Sequence, residues 1–253
     1  MPDHSRRALV TGGSRGIGRA IVERLAEDGY DVVATARNTN SLDFLEVEAA
    51  AQGWSVSSAA CDVTDERAVH RLAEHRGPFD LVVANAGMAS AAPLHRTTAA
   101  DLDAALAVNA AGVFHTLHAT VPTMKERGWG RAVVVASTAG VVGAPYTSAY
   151  TASKHAAVGL VRAVASEVAG SEVTVNAVCP TYVDTDMTAA TIRRIADRTH
   201  RSADEARETL LQHVPLGRLV SPAEVAAAVA YLCSDLAAPI NGQTLILDGG
   251  GST

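Results

Sequence analysis

Ala8-Leu9-Val10-Thr11-Gly12-Gly13-Ser14-Arg15-Gly16-Ile17-Gly18 is the stretch on which the fold turns. A short apolar run meets a glycine-rich turn. Behind the turn, apolar Ile21, Leu25 and Ala26 and polar Glu23, Arg24 and Glu27 follow a helical pattern. Strand, glycine turn and helix form the first half of a βαβ unit. Glycines at positions 12, 16 and 18 let a backbone approach a diphosphate closely, and the free N–H groups opening the next helix favour an anion there. The spacing, G-x-x-x-G-x-G, is not the G-x-G-x-x-G of the general dinucleotide fingerprint. A turn of this composition could also serve only the packing of strand on helix.

Further apolar runs lie at Val32–Thr35, Ser55–Ala60, Phe79–Ala84, Arg131–Ala136, Val173–Val178 and Thr244–Leu247, with helical patterns between them. The alternation predicts a single doubly wound α/β domain of the Rossmann type over residues 1–253, with a parallel sheet of about seven strands. Thr64 is a good N-cap for a helix from Asp65, and Thr98, Ser202 and Ser221 each stand three residues before an acid, as a capping box requires. At the end of the second strand the general fingerprint places an acid for the ribose hydroxyls. This chain has Ala36-Arg37, and a guanidinium there can grip a phosphate with two hydrogen bonds. With Arg15 as a second cation, the pattern favours NADP(H) over NAD(H), against the plainer reading of two solvated arginines.

The 253 residues, 48% of them hydrophobic, can bury a sizeable core, and a net charge of −6 argues against a nucleic-acid binder. Cys61, Cys179 and Cys233 form no C-x-x-C pair and read as free thiols of a cytoplasmic protein. Met1–Arg7 is short and polar, no run approaches the ~18 apolar residues of a membrane span, and no membrane partner is expected. His115 and His118 could pair on a metal, but no third ligand is indicated and none is expected. The helix from Ala149 to Val168 is small or apolar on nearly every side, which asks for a second covering surface and predicts a homodimer or homotetramer.

Tyr150 and Lys154 stand four apart and share a helix face. A lysine cation about 6 Å from a phenol, at an effective dielectric of about 20, favours the phenolate by roughly 3 kcal/mol. That would bring Tyr150 from roughly 10 to roughly 8, into the range of a general acid or base. Ser137, upstream, could donate to an oxygen on which negative charge develops. Such a set suits the interconversion of a ketone and an alcohol. The glycine turn, Asp62, Asn85 and Ser137 all fall at the carboxyl ends of predicted strands, where ligands bind in open parallel sheets.

On the glycine turn, Asn85-Ala86-Gly87, Ser137 and Tyr150-Thr151-Ala152-Ser153-Lys154, the chain resembles the short-chain dehydrogenase/reductase family from Arg7 to Gly250. The resemblance implies the catalytic set Asn109, Ser137, Tyr150 and Lys154, with Asn109 bending its helix and offering a backbone carbonyl to a proton-carrying water. It implies cofactor contacts at Gly12, Ser14, Arg15, Gly16, Ile17, Gly18, Arg37, Asp62, Val63, Asn85, Ala86, Gly87, Tyr150, Lys154, Pro180, Val183 and Thr185. Thr181 stands where the family usually has glycine. The expected function is NADPH-dependent reduction of a ketone, a 3-oxoacyl thioester or a polyketide-like carbonyl, possibly carried on coenzyme A or an acyl carrier protein. Met88-Ala89-Ser90-Ala91-Ala92 lacks the Pro-Gly-Gly that aromatic polyketide ketoreductases often carry there. A dehydrogenase of a small alcohol, sugar or sterol is the alternative, and a non-catalytic dinucleotide-binding regulator a more distant one. Residues 186–217, long for a simple connection, are expected to form a lid over the substrate, with Met187, Ile192, Ile195, Leu210 and Leu211 facing it.

Overall fold

In β1 (Arg7–Thr11), Ala8 and Val10 enter one hydrophobic layer and Leu9 the other, so the strand is buried on both faces and reads as a continuous apolar run. The computed structural model describes residues 6–212 and 214–252, without the side chains at 39, 43 and 44. Most of the polar stretch Met1–Arg7, the two ends of the predicted domain and position 213 of the expected lid lie outside the described residues. After β1 come α1 (Gly16–Glu27), β2 (Asp31–Ala36), α2 (Asp43–Ala51), β3 (Val56–Ala60), α3 (Glu66–Arg76) and β4 (Leu81–Ala84). A long helix follows in three parts: α4 (Ala99–Leu106), a π turn (Ala107–Ala111) and α5 (Gly112–Arg127). The chain continues through β5 (Gly130–Val135), α6 (Ser148–Glu167), β6 (Val173–Pro180), α7 (Asp186–Thr199), α8 (Ala203–Leu211), α9 (Pro222–Cys233) and β7 (Thr244–Leu247).

The 7-stranded sheet is parallel throughout, in the order β3-β2-β1-β4-β5-β6-β7, with Leu9 opposite Val33 on one side and Val82 on the other. The strand order therefore reverses between β1 and β4, and the carboxyl ends there form the crevice typical of such sheets. Ile21, Val22 and Leu25 of α1 with Val225, Val229 and Leu232 of α9 cover one face. Leu72 of α3, Leu117 and Val121 of α5, and Val158 and Val161 of α6 cover the other.

Local signals come through as chemistry requires. Thr98, Ser202 and Ser221 each accept from the N–H three residues on, and the acid there returns a bond to the cap's own N–H. Thr64 is a correction: Asp65 is the cap of α3, accepting from Ala68 N at 3.2 Å. Asp62 has captured Thr64 instead, accepting from its N–H at 2.9 Å and its hydroxyl at 2.8 Å. A second correction concerns apolar length, since Ala99–Arg127 runs for 29 residues and has the hydropathy of a membrane span. Half of its apolar window is buried inside the domain, as in a core helix. All three cysteines are buried and unpaired, and burial pushes Cys61 up to about 11 and Cys233 up to about 12.

Candidate active site

The glycine turn is shaped by steric limits that only glycine meets. Gly12 sits at φ +68°, and a Cβ there would lie 2.9 Å from Ala86 Cα. A Cβ on Gly18 would come within 2.0 Å of the Gly12 carbonyl oxygen. Asn85 closes the same point from β4, its side-chain amide donating to Thr11 O at 2.9 Å and Gly12 O at 3.1 Å. Thr11, which the sequence reading passed over, takes the Asn85 and Ala86 N–H groups on its hydroxyl at 3.0 and 3.1 Å. The turn and Asn85-Ala86-Gly87 are thus one interlocked unit. Ser14, Arg15, Gly16 and Ile17 carry the chain into α1, whose N-cap, Arg15, makes no side-chain cap bond and leaves the opening N–H groups available to an anion.

Around this cradle the remaining predicted contacts separate. Arg37, exposed at the end of β2, is close enough to Asp62 for its charge to help hold that carboxyl below the usual range; the hydrogen bonds from Thr64 contribute more. Arg15 is turned elsewhere, 3.8 Å from Asp186 at the start of α7, both side chains exposed. Val63 is buried against α5, where a Cβ on Gly112 would stand 2.7 Å from Val63 Cγ2. Pro180 ends β6, Val183 forms a parallel bridge to Val220, and Thr185 lies beside the turn, its methyl 3.1 Å from where a Gly16 Cβ would be. Thr181 has no positive φ, so the missing glycine carries no strain.

On the same rim, Ser137 follows β5 and its hydroxyl accepts from Ala139 N at 3.1 Å. Tyr150 and Lys154 leave the first turns of α6 on one face, with Lys154 Nζ 5.9 Å from the Tyr150 ring centroid and donating to Val135 O at 3.0 Å. Asn109 is wholly buried in the π turn. Its amide donates to Met88 O and Ser153 Oγ and accepts from Met88 N, each at 2.9 Å. Ser153, absent from the predicted set, is also wholly buried and donates to Tyr150 O at 2.7 Å. Tyr-x-x-Ser-Lys was the signal that could have found it.

The electrostatics correct the sequence argument. The lysine stands where expected, yet Tyr150 lies above its ordinary value, because burial disfavours the phenolate more than the hydrogen bond with Ser137 favours it. Burial also lowers Lys154 to about 8. Each group loses hydration that the other does not replace. A depressed lysine costs stability at neutral pH, since the unfolded chain holds its proton more firmly between about 8 and 10.5. The shift corresponds to roughly 3 kcal/mol, and losing the bond to Val135 O offsets about 1–2 kcal/mol of it. Lys154→Met is therefore expected to raise the melting temperature at pH ~7 by a few degrees. A melting temperature at or below that of the parent would contradict this account.

Two further regions singled out in the sequence are placed by the structure. His115 does not pair with His118; its Nδ1 meets Val63 O at 2.8 Å. In the expected lid, Leu210 is buried with Ala206 on the inner side of α8, while Met187 stays 45% exposed. The helices divide at His200, which takes a left-handed conformation.

The comparisons with known proteins agree with this geometry. A family model described as enoyl-(acyl carrier protein) reductase matches residues 12–252. The 3-oxoacyl-(acyl-carrier-protein) reductase MabA of Mycobacterium bovis is 37% identical, over 98% of this chain and 94% of its own. The reductase FabG of Thermotoga maritima, described in the same terms, is 35% identical over 96% of each chain. A crystal structure of a variant actinorhodin polyketide ketoreductase with NADPH superposes with a TM-score of 0.92, at 36% identity and covering 98% of both chains. Matched along almost its entire length by model, relatives and structure alike, the chain belongs to the short-chain dehydrogenase/reductase family.

Proposed function

We propose that the chain reduces the ketone of a 3-oxoacyl thioester to a secondary alcohol with NADPH. One observation carries the reading: a buried lysine, donating to Val135 O, shares a face with a half-buried tyrosine beside a serine and a glycine cradle. The cradle fits a dinucleotide, because the space at Gly12 and Gly18 admits no Cβ and the N-terminus of α1 has no side-chain cap. When bound, NADPH supplies the hydride. Tyr150 protonates the carbonyl oxygen, and Ser137 donates a hydrogen bond to it as charge develops. Lys154 holds positive charge next to the phenol. Because the Asn109 side chain is fully engaged, any part it takes in proton relay falls to its backbone carbonyl, which a π turn can leave without a partner in the helix.

Arg37, preceded by Ala36 where the general fingerprint has an acid, supports NADPH over NADH. We therefore expect NADPH to be consumed faster with 3-oxoacyl thioesters than with simple ketones, and Ala36→Asp to reverse the cofactor preference. Equal efficiency of both cofactors in the parent, or no oxidation with any thioester, would defeat the reading. Arg193, Arg198 and Arg207 are exposed on α7 and α8, with no ion-pair partner among the described residues, and suit the phosphate of a carrier or of coenzyme A. Residues 186–217 act in this proposal as the lid. The apolar depression between α5 and α6, lined by Ala110, Phe114, Ala156 and Leu160, supports a dimer or tetramer. Light scattering that gives the mass of one chain would contradict it. Unpaired buried thiols support a cytoplasmic location, which recovery in a membrane fraction would refute.

A further inference from the structure

His70 on α3 and His118 on α5 meet across the seam between the two helices. Nε2 of His70 lies 3.2 Å from Nδ1 of His118, with the rings at 78°. Glu66 stands one turn before His70 on the same face of α3, and the three side chains offer donor atoms all within 4.8 Å of one another. None of the three belongs to the catalytic set or the cofactor cradle.

Two imidazoles and a carboxylate are a borderline nitrogen and oxygen donor set, suited to zinc. In a tetrahedral site with zinc–nitrogen bonds of about 2.05 Å, neighbouring ligand atoms stand roughly 3.3 Å apart. The two histidine nitrogens already have that separation. Glu66 is exposed at the start of its helix and can close the remaining distance by side-chain rotation. No cationic side chain pairs with it among the described residues. Phe114 stacks on His118 with centroids 5.3 Å apart and planes within 10°, which fixes the ring and lowers the cost of ordering it. The plainer account is a hydrogen bond between two histidines beside a solvated glutamate. That account needs no third donor converging on the same point, and a third donor is there.

We infer that Glu66, His70 and His118 form a zinc site, with His70 Nε2, His118 Nδ1 and a Glu66 carboxylate oxygen as ligands and water completing the shell. Both facing nitrogens must present lone pairs to the metal. The ring that now donates the shared hydrogen bond moves its proton to its far nitrogen. The ion clips α3 to α5, the helix whose Gly112 and His115 hold Val63.

The test uses the full chain stripped with a chelator and titrated with zinc against a chromophoric competitor, with melting temperature as a second readout. One zinc per chain and a melting temperature that rises with zinc are expected. His118→Ala and His70→Ala should each weaken binding by more than the roughly 10- to 100-fold that even an outer-shell change costs. His75→Ala, which removes an exposed histidine of α3 outside the cluster, should leave binding unchanged. Circular dichroism of each variant separates lost binding from lost fold, and Glu66→Gln, nearly isosteric at the surface, provides a variant that folds. Absence of zinc binding in the parent at micromolar zinc, or unchanged binding in the His118→Ala or His70→Ala protein, overturns the site. Unchanged binding in Glu66→Gln overturns the three-ligand assignment.

Discussion

Gly18→Ala is expected to abolish NADPH binding and to destabilise the protein by several kcal/mol. The added methyl would sit 2.0 Å from Gly12 O, 2.5 Å from Asn85 Nδ2 and 2.8 Å from Gly12 C. None of these neighbours can retreat easily. The Gly12 carbonyl already receives the Asn85 amide, and Gly12 itself abuts the Ala86 backbone. Overpacking of ordinary core sites costs about 1–3 kcal/mol, and here the obstacle is backbone rather than a flexible side chain. The turn must therefore open, and with it the surface that would receive the diphosphate. Gly143→Ala, at a position with nothing within 4 Å and no positive φ, should leave the melting temperature within about 2 °C of the parent's. Calorimetric melting and a fluorescence titration with NADPH check both. Parent-like NADPH affinity in Gly18→Ala would show that the turn only packs strand on helix.

Tyr150→Phe should lower turnover by about 10²- to 10⁴-fold while NADPH affinity stays near that of the parent. The ring and its packing remain, and only the proton donor is lost. In the parent, Tyr150 stays protonated well above neutral pH, because burial raises it, whereas Lys154 titrates at about 8. The proposed reduction needs both the neutral phenol and the lysine cation. The reductive rate should therefore hold level below pH ~8 and fall above it as the cation is lost. Near-normal turnover in the phenylalanine variant would move the acid elsewhere, with Tyr146, 66% exposed and at φ +67°, the nearest candidate in the chain.

What the sequence discloses is what its neighbours in the chain determine. The glycine turn, the boxes at Thr98, Ser202 and Ser221, and the shared face of Tyr150 and Lys154 depend on residues within a few positions, and all are legible. Thr64 and Asp65 show where this fails: two good caps stand side by side, and the choice depends on which partner Asp62 takes. The pKa of Tyr150 is hidden because desolvation depends on every element packed around it. Leu210 and Met187 are both apolar, and only the packing around them decides that Leu210 is buried and Met187 is not. His118 found its partner 48 residues away, beyond any periodicity.

The π turn at Ala107–Ala111 makes the long helix a counting device. Each α-helical residue turns the chain by about 100°, so one residue more in a turn puts α4 and α5 out of phase by about that angle. Two anchors lie on either side: the Thr98 box that starts the helix, and the stripe of Val113, Leu117, Val121 and Met124 that grips the sheet. Removing one residue between them would restore a regular helix and swing one anchor about 100° away from its partner. Between Thr98 and Gly128 the length of the chain is therefore as constrained as its core residues are.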